Sequence, residues 1–316
     1  MSRAVGEGCV ESMPRRASNW TARSILEHAA NEGIASFVLD RLGTRPRLCY
    51  GAALLMRYLV LLAMALRKSL TLALQYRWDF LLSGGLSLLW TAAGLVPFYI
   101  AFHKRPAVEG WTYESALVVV AVFTILKAVL DGAVNPSLLT VVDQIRMGTL
   151  DFVLLKPADA QFLVSTTKFD VFRVVDVGAG LVLATVAFAL MGRTPGVLDV
   201  FAASVMLGAS TVVLYSIWIL VISAAFWVVK VDNLAYLFSS IFDFARWPVT
   251  IFKGIWRIVF TFVIPIGIMT TYPAEALLGS LTPLFFLGIL AGAALFALIA
   301  RIVWTRALGH YTSASS

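Results

Sequence analysis

The stretch that decides the fold is Tyr113–Val134, which reads YESALVVVAVFTILKAVLDGAV. Since about 20 apolar residues suffice to cross the hydrocarbon core of a bilayer as an α-helix, this stretch is long enough to span. A charged block, residues 135–176, follows at once and reads NPSLLTVVDQIRMGTLDFVLLKPADAQFLVSTTKFDVFRVVD. A charged segment of this length between apolar stretches needs a solvated surface or a soluble partner. The boundary predicts a membrane span that leads into a polar loop.

The remainder of the chain has the composition of a protein whose solvent is lipid. Of its 316 residues 60% are hydrophobic and only 14% are charged, with a mean hydropathy of +0.86. Soluble domains carry about 25% charged residues. Because the apolar runs are continuous rather than alternating, they argue against a transmembrane β-barrel. We predict an all-α polytopic membrane protein.

Six stretches are predicted to be transmembrane helices. They lie at about residues 80–102, 113–134, 171–191, 200–229, 255–271 and 283–304. The fourth is longer than a bilayer requires, so it is expected to tilt, break or protrude. Pro265 is expected to kink the fifth.

The part of the chain before the first span divides into two regions. Residues 56–76 read MRYLVLLAMALRKSLTLALQY, and the cations Arg67 and Lys68 in their middle favour an amphipathic helix that lies in the membrane interface. Residues 1–50 lack sustained apolar periodicity and are predicted to be a poorly ordered cytoplasmic extension. Residues 51–316 then form the transmembrane domain.

The distribution of Lys and Arg predicts the orientation. The net charge is +7 and the pI is about 9.6; in a membrane protein this excess indicates cytoplasmic loops rather than a nucleic-acid partner. With both termini inside, the cytoplasmic flanks hold Arg57, Arg67, Lys68, Arg77, Arg146, Lys156, Lys168, Arg173, Lys230, Arg246, Lys253, Arg257, Arg301 and Arg306. The outside keeps Lys104, Arg105 and Arg193. The loop at residues 135–170 is therefore predicted to be cytoplasmic.

Motifs for chemistry are absent from the sequence. It contains no G-x-x-x-x-G-K-[ST], H-E-x-x-H or G-x-S-x-G. Its three His and two Cys residues suggest neither a metal centre nor a disulfide framework. We predict no catalytic residue, metal or cofactor in this chain, so energy must come from an ion gradient or another polypeptide.

Residues 138–155 of the charged block predict an amphipathic helix that is interrupted near Gly148. Its apolar face is formed by Val141, Val142, Ile145 and Met147. Pro157 ends it, because the residue before a proline is pushed out of the α region. Such a helix either docks into a groove on a soluble partner or lies on the inner leaflet. Periodicity leaves both open.

Two further pairs are candidate site residues. Lys127 and Asp131 are ionisable side chains within the second span, spaced i,i+4, and form either a structural ion pair or an ion or substrate site. Tyr215 and Trp218 in the fourth span either line a path for an amphipathic substrate or pack in the interior.

Three strings carry a family resemblance. They are QIRMGTLDFVLLKPADAQF at residues 144–162, FVIPIGIMTTYPAEALLG at 262–279 and ALGHYTSAS at 307–315. Together they resemble the bacterial ABC type-2 permeases, the six-span membrane subunits of ATP-driven exporters, and in particular the subfamily with an I-R-x-G-T-L-D-x-x-L-L-K-P loop.

The resemblance implies partners and a location. It implies a separate ABC ATPase subunit that binds ATP and Mg²⁺, a homodimer or a heterodimer with a similar permease, and a place in the bacterial inner membrane. By the same resemblance the loop is a coupling helix, and its contact residues are Arg146, Gly148, Thr149, Asp151, Lys156 and Pro157. The alternatives are a secondary transporter driven by an ion gradient through Lys127 and Asp131, and a membrane scaffold that does not transport.

Overall fold

The computed structural model describes residues 47–75, 77–104, 107–227 and 232–311. The predicted extension at residues 1–50 lies outside them, apart from its last four residues. The chain divides into two compact units, Met1–Met64 and Ala65–Ser316. In the first unit the described residues, 47–64, are helical.

Nearly all described residues are helical, as the sequence predicted. The elements are α1 (Arg47–Gln75), α2 (Arg77–His103), β1 (Ala107–Val108), β2 (Trp111–Thr112), α3 (Tyr113–Val129), α4 (Asn135–Arg146), α5 (Asp151–Leu154), α6 (Ala160–Ser165), α7 (Val174–Met191), α8 (Val197–Ser223), α9 (Asp232–Phe242), α10 (Ile255–Ile258), α11 (Tyr272–Leu277) and α12 (Pro283–Gly309). Short 3₁₀ turns lie at Val171–Arg173, Ala224–Phe226, Asp243–Arg246 and Val249–Ile251, and π-helical turns at Leu130–Val134, Val259–Val263 and Gly267–Thr271. The two strands form an antiparallel hairpin in which Ala107 pairs with Thr112 and Val108 with Trp111.

The central element is the long helix that begins at α3. The Thr112 side chain caps it by accepting from the backbone N–H of Ser115, and the Ser115 hydroxyl accepts in return from that of Thr112. The helix does not end at Val134 but continues through the π-helical turn into α4, so that Tyr113–Arg146 forms one candidate span of 34 residues. At 1.5 Å per residue this is about 51 Å, well beyond a ~30 Å hydrocarbon core. A helix of this length either tilts or extends beyond the hydrocarbon core, and α4 is its more polar end.

The central helix is mostly buried, whereas α2, α7 and α12 are largely exposed. Most of α3 is buried, with α7 packed against it, and the inner part of α8 is buried against α11 and α12. By contrast, α2, α7 and α12 expose large apolar side chains, among them Trp90, Leu181 and Leu287. Apolar helix faces of this kind suit contact with lipid or with another membrane helix.

Within the described residues, six helices are long and apolar enough to cross a membrane. They are Met56–Gln75, Leu82–His103, Tyr113–Arg146, Val171–Met191, Val197–Phe226 and Pro283–Gly309. The all-α polytopic class is confirmed. Residues 56–75 have the length and composition of a span, and Ser69 within them accepts from the backbone N–H of Phe169 at 3.1 Å. That contact brings α1 to the level of the polar loop, and its interfacial position stays a prediction.

The structure differs from the sequence-based prediction at the fifth span. Residues 255–271 do not form one helix. Helix α10 continues into a π-helical turn that ends at Val263, Ile264 and Pro265 are not helical, and a second π-helical turn begins at Gly267. Pro265 has no backbone N–H to continue the helix, so it interrupts the segment rather than merely kinking it. Thr270 donates to the Ala245 carbonyl at 2.7 Å, which folds this segment back against the residues after α9.

The passage between the two ends of the unit is made instead by α9 and the 3₁₀ turns after it. We call the end that carries residues 147–170 the loop end, and the end that carries the β-hairpin the hairpin end. Phe238 contacts Trp218, one helical turn from the loop contact of Tyr215, whereas Trp111 of the hairpin donates to Thr250 at 2.8 Å. Lys253 pairs with Glu109 of the hairpin at 2.7 Å.

This path changes the predicted charge distribution. Lys253 and Arg257, expected in the cytoplasmic flanks, lie at the hairpin end, and Arg246 lies between the two ends beside Phe123. The loop end still carries the larger share of the described cations: Arg67, Lys68, Arg146, Lys156, Lys168, Arg173, Arg301 and Arg306.

Candidate functional site

The polar loop, residues 147–170, is folded rather than extended. Gly148 adopts a left-handed conformation with φ of +68°, which ends α4 and turns the chain toward α5. The Asp159 carboxylate caps α6 by accepting from the Phe162 N–H at 3.0 Å. The interruption at Gly148 and the helix end before Pro157 follow the sequence-based expectation.

The apolar face predicted for docking is used inside the protein. Val141 and Val142 are 0% and 1% exposed and belong to the main core, where α4 packs against α6 and α8. Ile145 packs against the same core, and only Met147 is open, at 72%. Two positions of the predicted face are thus closed to a partner, because the α4 part of the central helix needs them to attach the loop.

The base of the loop is joined to the π-helical turn of the central helix. The Asp170 N–H donates to the Gly132 carbonyl at 2.7 Å. The Ser137 hydroxyl donates to the Lys168 carbonyl at 2.6 Å and accepts from the Lys168 N–H at 3.1 Å. A Cβ on Gly132 would lie 3.2 Å from the Asp170 carbonyl oxygen. A larger residue at this position would therefore require the base of the loop to shift by a few tenths of an ångström.

A second set of polar contacts joins α6 to two long helices. Arg301 of α12 donates to Asp159 at 2.5 Å and to Gln161 at 2.8 Å. The Tyr215 hydroxyl of α8 lies 3.1 Å from the Gln161 amide nitrogen and 2.7 Å from the Ser165 hydroxyl. We call these five side chains the α6 latch. Burial raises the pKa of Asp159, but the hydrogen bonds from Arg301 and the Phe162 N–H outweigh it and hold that pKa below its ordinary value.

Tyr215 and Trp218, the two candidate residues for a substrate path, contact other side chains of the protein. Tyr215 is part of the α6 latch. Trp218 is 2% exposed and packs edge-to-face on Phe238. Of the two readings that the sequence left open for this pair, the geometry matches interior packing.

The proposed contact residues surround an exposed tip at the loop end. Met147, Phe152 and Leu155 are 72%, 69% and 81% exposed, and Lys156 is exposed beside them; we call these four residues the loop tip. Arg146 and Pro157 flank it and are also exposed, whereas Gly148, Thr149 and Asp151 are partly buried. Burial and, after it, the nearby Asp151 carboxylate raise the pKa of Tyr311, so the loop lies close to the start of the C-terminal string.

Lys127 and Asp131 lie inside a larger group of charges. The Lys127 ammonium is 3.9 Å from Asp131, 3.4 Å from Asp243 and 3.3 Å from the Ser239 hydroxyl. Asp131 accepts from the Asn135 amide at 2.9 Å. Arg246 lies 3.9 Å from Asp243, and its guanidinium lies 5.2 Å from the centroid of the Phe123 ring.

A second pair faces the same space from the start of α7. Arg173 lies 3.5 Å from Asp170 and 3.4 Å from Asp176. Asp176 also accepts from the Ser87 hydroxyl of α2. The sequence signal was visible, since these residues recur at i, i+3 and i+6, but alone they read as a solvated helix end.

These groups line a cavity of about 710 Å³ between α2, α3, the start of α7 and the turn after α9. We call it the charged cavity. Its six charged side chains are Lys127, Asp131, Arg173, Asp176, Asp243 and Arg246. Sequence reasoning found the first two as a site and missed Asp243 and Arg246. Both lie between the predicted fourth and fifth spans, where charged residues are expected in any membrane protein.

Among the described residues no group of three His, Cys, Asp or Glu side chains is arranged to hold a metal ion. No curated protein and no solved structure matches this chain. A family model described as "ABC-2 family transporter protein" matches residues 88–315, which is well over half of the chain and includes all six charged side chains of the cavity and the polar loop. The chain therefore belongs to the ABC-2 family of transporter proteins.

Proposed function

We propose that this permease is the membrane subunit of an ATP-driven exporter and that its loop tip docks on a separate ABC ATPase. The observation that carries the proposal is the contrast within the loop. Its base is joined to three long helices, while its tip exposes three large apolar side chains next to cations. A cluster of exposed apolar side chains with a polar rim marks a surface that another protein covers.

The way the loop is joined supports a mechanical role. A load on the tip would pass to the central helix through Gly132 and Ser137, and to α8 and α12 through the α6 latch. Because packed elements shift as rigid bodies between discrete arrangements, closure of the ATPase would reorient these helices together. The cation Lys156 of the tip would face carboxylates of the partner.

The family supports a proposal for the wider assembly. ATP and Mg²⁺ would bind on the partner, since the chain has no phosphate-binding loop. Two permease protomers, identical or similar, would carry two ATPase subunits on the cytoplasmic face. Both termini and the loop end would be cytoplasmic, in the inner membrane of a bacterium, with transport directed outward.

The test is site-specific photocrosslinking in native membranes. A photoreactive residue at Leu155 or Phe152 is expected to crosslink a polypeptide with a Walker A sequence, identified by mass spectrometry. The matched control is Leu198, which is 77% exposed at the hairpin end and is expected to give no such product. Crosslinking of an ATPase from both ends, or from neither, contradicts docking at the loop tip.

A functional readout separates this proposal from a transporter driven by an ion gradient. The permease purified with its ATPase is expected to hydrolyse ATP in sealed vesicles without an imposed gradient, and Phe152→Glu with Leu155→Glu to uncouple that activity. The ion-gradient alternative gains little from the geometry, because Lys127 lies between two carboxylates that offset its charge.

A further inference from the structure

The charged cavity has the features of a ligand site inside the membrane-spanning part of the chain. We propose that it binds an amphipathic molecule whose headgroup carries one positive and one negative charge. Binding itself is independent of the ATPase partner; only the identification of this ligand as the exported molecule rests on the proposed function.

The charged side chains that line the cavity balance one another. The cavity is lined by three cationic and three anionic side chains, so its formal charge is zero. A ligand with net charge leaves one charge uncompensated, which is unfavourable here by less than in a fully buried site, because Lys127, Arg246 and Asp243 keep 26%, 31% and 47% of their side chains exposed. A headgroup with both signs avoids this, because each of its ends meets a side chain of the opposite sign.

The ion pairs in the cavity are loose. Lys127 and Arg246 approach Asp243 only to 3.4 and 3.9 Å, and Lys127 lies 3.9 Å from Asp131. Direct charge-assisted hydrogen bonds are about 2.7–2.9 Å long. The cations therefore keep donors available, and an anionic group can approach Lys127 and Arg246 alongside Asp243, whose Oδ1 atom lies within 3.9 Å of both.

The carboxylates of Asp131 and Asp176 are the acceptors for the cationic end of the headgroup. Asp131 lies in the π-helical turn that follows α3, Asp176 lies on α7, and both line the cavity. Among the described residues, their partners are the Asn135 amide, the Ser87 hydroxyl and the cations Lys127 and Arg173 at 3.4 Å or more. A ligand cation has acceptors there that no close salt bridge occupies.

The apolar side chains of α2 that line the cavity would contact the apolar tail of the ligand. Leu86 and Trp90 line the cavity yet are 57% and 73% exposed, so the cavity opens to the surroundings past them. Phe123 and Val120 form the inner apolar wall. Because α2 is a membrane helix, this opening faces hydrocarbon or another membrane helix, and an alkyl tail can remain there while its headgroup sits among the charges.

The test compares three amphiphiles with the same dodecyl tail: zwitterionic dodecylphosphocholine, anionic dodecyl phosphate and cationic dodecyltrimethylammonium. Binding to the purified full chain in a maltoside detergent is followed by native mass spectrometry. We expect saturable binding of the zwitterion about tenfold tighter than of either charged amphiphile, in line with the cost of an uncompensated charge. Equal binding of all three overturns the proposal.

Variants move the charge of the cavity in opposite directions. Lys127→Met leaves one carboxylate in excess and is expected to prefer the cationic amphiphile. Asp243→Asn leaves one cation in excess and is expected to prefer the anionic one. Variants that keep the original order of headgroups contradict the assignment.

A third variant covers the case in which either charge change prevents folding. Trp90→Ala lies on the exposed wall and is expected to weaken all three amphiphiles equally, without changing their order. A changed order, or unchanged affinity for all three, contradicts the cavity as the site. If the chain binds the zwitterion but associates with no ATPase, the proposed function fails while this inference stands.

Discussion

Gly180 lies where α7 packs closely against α3. A Cβ at this position would lie 2.6 Å from Cγ1 of Ile125 and 2.9 Å from the Ala121 carbonyl oxygen. The second atom belongs to the backbone and cannot rotate away. Gly178, two residues earlier on the same helix, has no neighbour within 4 Å of such a Cβ. Small residues that let helix backbones approach are the main means of packing helices in a membrane.

This contrast yields a prediction for the two glycines. Gly180→Ala is expected to separate the helices and lower stability by about 1–3 kcal/mol, as overpacking does. Gly178→Ala is expected to be neutral or to raise stability by up to about 1 kcal/mol, because alanine is the better helix former. Thermal unfolding in detergent measures both. Equal shifts in the melting temperature would show that the helices do not meet at Gly180.

At the scale of elements, α6 joins the loop to the long helices. It has only six residues, too few to be stable alone. Its position depends on Arg301 and Tyr215, which come from different helices. The α6 latch is therefore where the loop either moves with α8 and α12 or separates from them.

Tyr215→Phe tests the latch with the smallest change. It removes a hydroxyl that lies within hydrogen-bond distance of Gln161 and Ser165, a loss of about 1–2 kcal/mol for two such bonds. Local opening should become about tenfold more frequent, so hydrogen exchange at residues 160–165 should speed up by that factor. Tyr99→Phe is the control, because Tyr99 stacks on His103 at the hairpin end and is 59% exposed. Unchanged exchange in Tyr215→Phe would mean that the latch does not hold α6.

How much the sequence predicts depends on whether a feature is local. The spans at 113–134, 171–191 and 283–304, the turn at Gly148 and the Lys127–Asp131 pair are properties of one stretch, and periodicity or spacing is enough to find them. The partners of these residues are not local. Asp243 meets Lys127, and Tyr215 meets Ser165, only because helices far apart in sequence pack side by side.

At the fifth span, local hydropathy predicts a membrane helix that long-range contacts do not allow. Residues 255–271 are apolar enough to be read as a span, but the interruption at Ile264 and Pro265 and the hydrogen bond from Thr270 to Ala245 fold them back. The more polar stretch from residue 232 makes the passage instead. Its charges, Asp243 and Arg246, are accommodated by Lys127 and the Phe123 ring, which a hydropathy pattern cannot register.

At the scale of the whole unit, the two ends differ in charge and surface. The loop end carries more of the described cations than the hairpin end, which is the distribution expected of a cytoplasmic face. The hairpin end holds fewer, and one of them, Lys253, is paired with Glu109. Lys253 is the residue on which the two descriptions of the fifth span disagree, since the sequence-based prediction puts it at the loop end.

Cysteine labelling decides between them. In a chain with Cys9 and Cys49 replaced by serine, Lys253→Cys, Leu198→Cys and Leu155→Cys are each treated with a membrane-impermeant maleimide. The structure predicts that the first two react alike and the third reacts from the opposite side, because Lys253 is 77% exposed beside the hairpin and Leu155 is 81% exposed at the loop tip. With a cytoplasmic loop end, Lys253→Cys and Leu198→Cys label in intact cells, and Leu155→Cys labels only after permeabilisation. Labelling of Lys253→Cys together with Leu155→Cys would return the fifth span to residues 255–271 and remove Asp243 and Arg246 from the charged cavity.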